Sequence, residues 1–366
     1  MLSENQPDGP TNAVLSGDSR NTVERIKSVD ACRLIAIIAV IAIHTDPFGP
    51  QVLGQDVRFG QLDWFIDQFS RFAVPFFFVM AGYFWAVKQR ESDHQWRTSA
   101  KTAHRIALVL AAWSLIYLVP FEVVKMWHLG PLGPLKLAYW NLTTRLADPL
   151  ALLGQSTKVH LWFLIALLWS LGIAAVLSKI GRLNALMPVG AVLFIIALLG
   201  KPYADTPIGM SIPIELRDGP FFGTVLFATG VMLTRVVRST SWLYKGMLVF
   251  TVGLICQFFE LYVLWSRFGT FPFQDFTIGT YFMGLGFSMV ALSNHLLLQG
   301  ERLSAVGQYT LGIYAVHFVY VDMLSGVGRF NTSPTWQVAY PIAVFVFSVG
   351  TVLLMARSMK LRQIVA

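Results

Sequence analysis

Apolar stretches of bilayer length recur along this chain, and nothing else about it restricts the fold as severely. Roughly 17–25 apolar residues suffice for a helix to cross a membrane. Ten stretches qualify, at about 28–47, 64–87, 104–125, 159–178, 184–200, 219–236, 242–265, 277–299, 305–324 and 336–357. Inside hydrocarbon a backbone must satisfy its own polar groups, so such stretches fold as helices. The sequence therefore predicts an all-α polytopic membrane protein with about ten transmembrane helices. They are expected to form one domain over residues 25–366.

Composition agrees. Only 13 % of the 366 residues are charged, against roughly 25 % in soluble domains. Hydrophobic residues make up 55 %. These figures exclude an ordinary soluble enzyme, a disordered chain and a fibrous repeat. Two cysteines, Cys32 and Cys256, exclude a disulfide scaffold. Residues 1–24 are polar and rich in Asn, Ser, Gly, Asp and Pro, which predicts a disordered cytoplasmic tail with no cleavable signal peptide. The longest gap between spans, 126–158, contains Pro131, Pro134 and Pro149 and some amphipathic character, pointing to a surface or re-entrant segment.

The net charge of +8 needs no nucleic acid to explain it. With the N-terminus inside, seventeen of the 28 Lys and Arg residues fall on the cytoplasmic side, nine fall outside, and Arg33 and Arg71 lie within spans. That asymmetry follows the positive-inside rule and places both termini in the cytoplasm.

Ionisable residues within spans are costly and mark function by default. Arg33 and His44 are eleven residues apart on the first helix. At 100° per residue they share a face, about 16 Å apart along the axis, and Asp30 lies one turn before Arg33. Snorkelling of Arg33 and simple interfacial burial of His44 are the competing readings. Arg71 in the second span is expected to face the bundle interior, and Pro75 to interrupt the helix there. The basic stretch Lys88, Arg90, Arg97, Lys101, His104, Arg105 fits either anionic lipid or a phosphorylated cofactor. Trp162 reads most simply as an interfacial belt residue, and Glu260 as an ion-pair partner of Arg71 or Arg267. Tyr314 and His317 share a helix face, with His317 suited to hydrogen bonding between helices. Gly279, Gly284 and Gly286 suggest close helix packing. Asn141 and Asn331 open glycosylation-type sequons of little weight. No metal-ligand pattern, P-loop or serine triad is present in the sequence.

Three separated segments resemble the integral-membrane acyltransferase family 3. They are Ser28 through Asp30 and Arg33 to His44, then Ser70-Arg71-Phe72-Ala73-Val74-Pro75 leading to Gly82-Tyr83, and Val306-Gly307 through Tyr314 to His317. Arg105 to Tyr117 and the His160-Leu161-Trp162-Phe163-Leu164 opening are similar as well. Two positions depart from the family pattern. Ala81 stands where a serine is usual, and Lys101, His104 and Arg105 replace a pair of arginines three apart.

The resemblance implies an O-acyltransferase of a bacterial cytoplasmic membrane. It would move acetyl or another short acyl group from acyl-CoA, as co-substrate, to a carbohydrate, exopolysaccharide or lipid-linked sugar. In that reading His44 is the base, with Arg33 and Asp30 beside it in the catalytic set. Arg97, Lys101, Arg105 and Arg33 would hold the cofactor. Arg71, Tyr83, His317, Tyr314, Trp162 and Glu260 are the substrate or oxyanion candidates. No metal and no nucleic acid are expected. Membrane lipids are expected partners; no soluble esterase-like domain is seen, so the membrane core is expected either to act alone or to hand on to another protein, such as a polysaccharide-assembly protein. The competing class is a ten-helix transporter or polysaccharide exporter, against which the absence of an inverted repeat argues.

Overall fold

The computed structural model describes residues 26–49, 61–293, 295–327 and 333–365. The predicted tail, most of the first outer loop with Arg58, and Arg329 and Asn331 fall outside the described residues. The described chain is helical, without strands. Its helices are α1 (Lys27–Thr45), α2 (Leu62–Ser70), α3 (Ala73–Arg90), α4 (Gln95–Ile116), α5 (Val123–His128), α6 (Gly133–Ala147), α7 (Pro149–Gln155), α8 (Trp162–Lys179), α9 (Leu186–Gly200), α10 (Pro220–Leu233), α11 (Trp242–Phe268), α12 (Ile278–Leu292), α13 (Glu301–Gly307), α14 (Thr310–Ser325), α15 (Pro334–Met355) and α16 (Met359–Arg362).

Six stretches are long and apolar enough to cross a bilayer: Lys27–Thr45, Leu62–Arg90, Val159–Lys179, Leu183–Gly200, Trp242–Phe268 and Pro334–Met355. The shorter apolar helices α10, α12 and α14 stand where three further spans were expected. The expected third span is displaced. Its helix begins at Gln95 and ends at Ile116, not at 104 and 125. Gln, Arg, Lys and Ala are good helix formers, so the polar start at 95–103 stays helical. Pro120 lacks an N–H and biases its predecessor away from helix, so the helix cannot continue to 125.

The second span is broken where Pro75 predicts. Pro75 cannot donate to the carbonyl of Arg71, four residues back, and its ring crowds that carbonyl. A turn at Arg71–Phe72 separates α2 from α3. Arg71 thus caps the C-terminus of α2.

α1 is central and packs against α2, α3, α12, α13, α14 and α15. Small residues set the closest approaches. A Cβ on Gly82 would lie 2.0 Å from the carbonyl oxygen of Phe227, and one on Gly230 would lie 1.9 Å from that of Val79, so α3 and α10 meet backbone to backbone. Gly279 and Gly286 bring α12 against α11 in the same way, as the sequence suggested. The 126–158 gap folds as α5 to α7, whose Trp127, Leu135, Tyr139, Trp140 and Leu150 are exposed.

Candidate active site

Near its C-terminal end α1 presents His44, half-buried, to α14. The His44 and His317 ring centroids are 5.4 Å apart, and His44 lies 4.7 Å from the Phe318 ring. A third histidine joins them. His160, in the short turn before α8, is 5.1 Å from His317 and stacks on Phe318 at 4.5 Å. The backbone around the trio is held by two tyrosines. Tyr314 donates to the carbonyl of His160, and Tyr117 donates to that of Ala315 at 2.7 Å.

The tautomer of His317 follows from one contact. Its Nδ1 lies 2.6 Å from the Tyr314 carbonyl oxygen. A carbonyl only accepts, so Nδ1 carries the proton and Nε2 presents a lone pair. That Nε2 is buried without a protein partner, as are both ring nitrogens of His160. Orphaned buried nitrogens are unfavourable, and they accumulate at working sites.

Beside His44 lies a small, partly open chamber of about 50 Å³, lined by His44, Arg71, Trp162, Arg217, Phe222 and Asp275 among others. Arg71 faces the bundle interior, as expected. Its Nε and Nη2 bond both carboxylate oxygens of Asp67 at 3.0 and 2.8 Å, and its Nη1 reaches Asp275 at 2.8 Å. Arg217 donates to the same Asp275 oxygen at 3.0 Å and to Asp218 at 3.0 Å. The Arg217 guanidinium also sits 4.8 Å over the Trp162 ring. Lys201 completes the set, 2.8 Å from the other oxygen of Asp275. Burial alone would push the Asp275 carboxyl up, but Arg217, Arg71 and Lys201 outweigh it and hold Asp275 well below the usual carboxylate range.

The N-terminal end of α1 is also polar. Asp30 is buried and pairs with Arg33 at 2.8 Å. Arg33 lies 5.1 Å from the ring of Phe84, which is one turn before Lys88 on α3. Arg105 lines a groove of about 460 Å³ with His104, Leu108, Met359, Arg362 and Gln363. Arg97 and Lys101 are not part of that lining and stand exposed further along α4.

Several expectations are corrected by these placements. Trp162 is no belt residue: it is buried, with 8 % of its surface exposed, and lines the chamber. Glu260 pairs with neither Arg71 nor Arg267. It accepts a bond from the Tyr203 hydroxyl at 2.5 Å and caps α12 through the backbone N–H groups of Ile278 and Gly279 at 3.1 and 3.2 Å. A carboxylate is favoured at a helix N-terminus, which accounts for it. Tyr83 is also remote, twelve residues and about 18 Å along the second span from Arg71. Its backbone packs on α10. His160, Asp67, Lys201, Arg217 and Asp275 were not among the sequence candidates. Only His160 left a signal, as a histidine opening an apolar span.

The chain matches the acyltransferase domain family along residues 26–356. It belongs to acyltransferase family 3. As an acyltransferase family 3 protein it has α1, the chamber, and Arg33, Lys88 and Arg105 inside the matched region, with Arg362 just beyond it. No curated protein and no solved structure matches the chain.

Proposed function

We propose that this family 3 acyltransferase moves acetyl, or another short acyl group, from acyl-CoA at the cytoplasmic face to a hydroxyl of a carbohydrate or lipid-linked sugar at the outer face. The observation that carries the reading is His44 in a small chamber with two arginine side chains. About 50 Å³ admits little more than a water or two, the size class of an acetyl group.

Each residue has a task in this reading. Neutral imidazole takes the acceptor's hydroxyl proton, the usual work of His near neutral pH. The resulting oxygen attacks the thioester carbonyl, the C–O bond forms, and the C–S bond breaks. The thiolate leaves with the proton that His44 had taken. In the tetrahedral state the carbonyl oxygen becomes anionic. A guanidinium has five N–H groups, and the ion pairs described use three on Arg71 and two on Arg217. The remaining donors suit an oxyanion in a dry site. His317 and Tyr314 support the histidine cluster, and Trp162 walls the chamber. A transient acyl-imidazole on His44 is an equivalent route to the same product.

The donor's phosphates fit the inner cluster of Arg33, Lys88, Arg105 and Arg362, with Asp30 orienting Arg33. The pantetheine arm would then run up α1. Ten spans, cytoplasmic termini, a bacterial cytoplasmic membrane and partnership with polysaccharide-assembly proteins complete the proposal.

The test is turnover of labelled acetyl-CoA in membranes holding wild type or His44→Ala. The expected loss is about 10²–10⁴-fold. Full activity in the variant would remove His44 from the mechanism. Sugar flux without thioester consumption would identify a transporter or exporter instead.

A further inference from the structure

Two cavities flank α7 at the outer end of the bundle, and they differ in chemistry. One, of about 840 Å³, is lined by Asp148, Gln155, Glu215 and Asp218 together with Trp169 and Phe221. Carboxylates and an amide beside aromatic faces are the groups that bind a polyhydroxylated ring, through hydroxyl hydrogen bonds and stacking of its apolar face. This cavity adjoins the reaction chamber by a single residue step. Asp218 lines the cavity, pairs with Arg217 at 3.0 Å, and Arg217 lines the chamber beside His44.

The second cavity, of about 540 Å³, is apolar and runs along the outside of the bundle between α4 and α8. Its depth has a simple cause. Ala107 and Ala111 lie one turn apart on α4 and leave a trough facing Leu168 and Trp169 of α8. Ser114 and Ser156 close its upper end with a 2.5 Å hydrogen bond. The two cavities share Leu153, Ile165 and Trp169. A polar compartment one residue step from the His44 chamber thus shares a wall with an open apolar trough on the bundle's outer surface.

We infer that the acceptor is an amphiphile, its polyhydroxylated head in the polar cavity beside Asp218 and its hydrocarbon tail in the Ala107–Ala111 trough. A water-soluble sugar would use the first cavity and have no need of the second. The inference rests on the acyl-transfer reading only for the ligand's role as acceptor.

Binding is therefore tested apart from turnover. Purified protein in nanodiscs is photolysed with a dodecyl glucoside carrying a diazirine in its tail, and the labelled peptides are mapped by mass spectrometry. Labelling is expected on α4 and α8 around the trough. It should be displaced by dodecyl maltoside, but not by dodecanol or phosphatidylglycerol at the same concentration. Ala111→Trp, which fills the trough from an exposed position, should lower labelling at least about tenfold, and Ala107→Leu gives a second variant should the first fold poorly. Equal displacement by dodecanol or phosphatidylglycerol would show that the trough holds bulk lipid only and overturn the inference. Labelling elsewhere, or none, would do the same. Glycoside-specific labelling in a protein that consumes no acetyl-CoA would instead keep this site and sink the acyl-transfer reading.

Discussion

His317 holds its ring by donating Nδ1–H to the carbonyl of Tyr314 on its own helix, which leaves Nε2 buried without a protein partner in a ring 5.4 Å from that of His44. A histidine so fixed accepts a proton without reorienting. His317→Phe keeps the packing volume and removes the acceptor. We expect kcat to fall about 10–100-fold with the KM for acyl-CoA unchanged, measured in proteoliposomes. A rise in KM alone would place His317 outside the chemistry.

The inner ion pair has a different signature. Arg33 is proposed to hold the donor, with Asp30 setting its direction. Arg33→Ala should raise the KM for acetyl-CoA at least about tenfold, near 1.4 kcal/mol, and change kcat much less. Arg33→Lys should recover only part of that loss, since an ammonium lacks the planar fork of a guanidinium. Initial rates at varied acetyl-CoA distinguish the two.

Asp275 anchors three cations, so its removal leaves Arg71, Arg217 and Lys201 facing one another. Asp275→Asn should destabilise the protein by about 3 kcal/mol, seen as a lower Tm in detergent. Its depressed pKa sets the pH behaviour. The stabilisation is present above the unfolded carboxyl's pKa and is lost only as pH falls through the folded value, which lies well below the usual range. The Tm difference between wild type and variant should therefore stay constant from pH 5 to 8. A difference that shrinks as pH falls through that range would contradict the network.

Gly307 meets α1 where no side chain fits. A Cβ there would lie 1.9 Å from the carbonyl oxygen of Asp30. Gly307→Ala should cost about 1–3 kcal/mol through overpacking and displace the Asp30–Arg33 pair. Its KM for acetyl-CoA should rise along with the loss of thermal stability.

What the sequence disclosed depended on where each charge sat. His44, Arg33 and Arg71 were legible because a lone ionisable group in an apolar helix has no routine explanation. Pro75 announced its helix break by covalent geometry alone. Arg217, Lys201 and Asp275 lie in loops, where charge is ordinary, and only the folding of those loops onto the chamber distinguishes them. Trp162 gave the same local signal as a lipid-facing belt residue, because a tryptophan opening a span reads alike in both settings. Glu260 was read as an ion-pair partner because a helix N-terminus brought near from elsewhere in the chain leaves no mark beside it. The first half of α4 was missed as helix because an apolar criterion cannot see a helix that begins in polar sequence.

The placement of Arg33 and His44 on one face of α1, about 16 Å apart, gives the proposed reaction a direction. In that proposal the charged carrier would engage at one end and the acyl group would be spent at the other. The nucleotide would not need to enter hydrocarbon. Thioester cleavage would then make the reaction vectorial, delivering a small neutral fragment across most of the bilayer while its anionic handle stays behind.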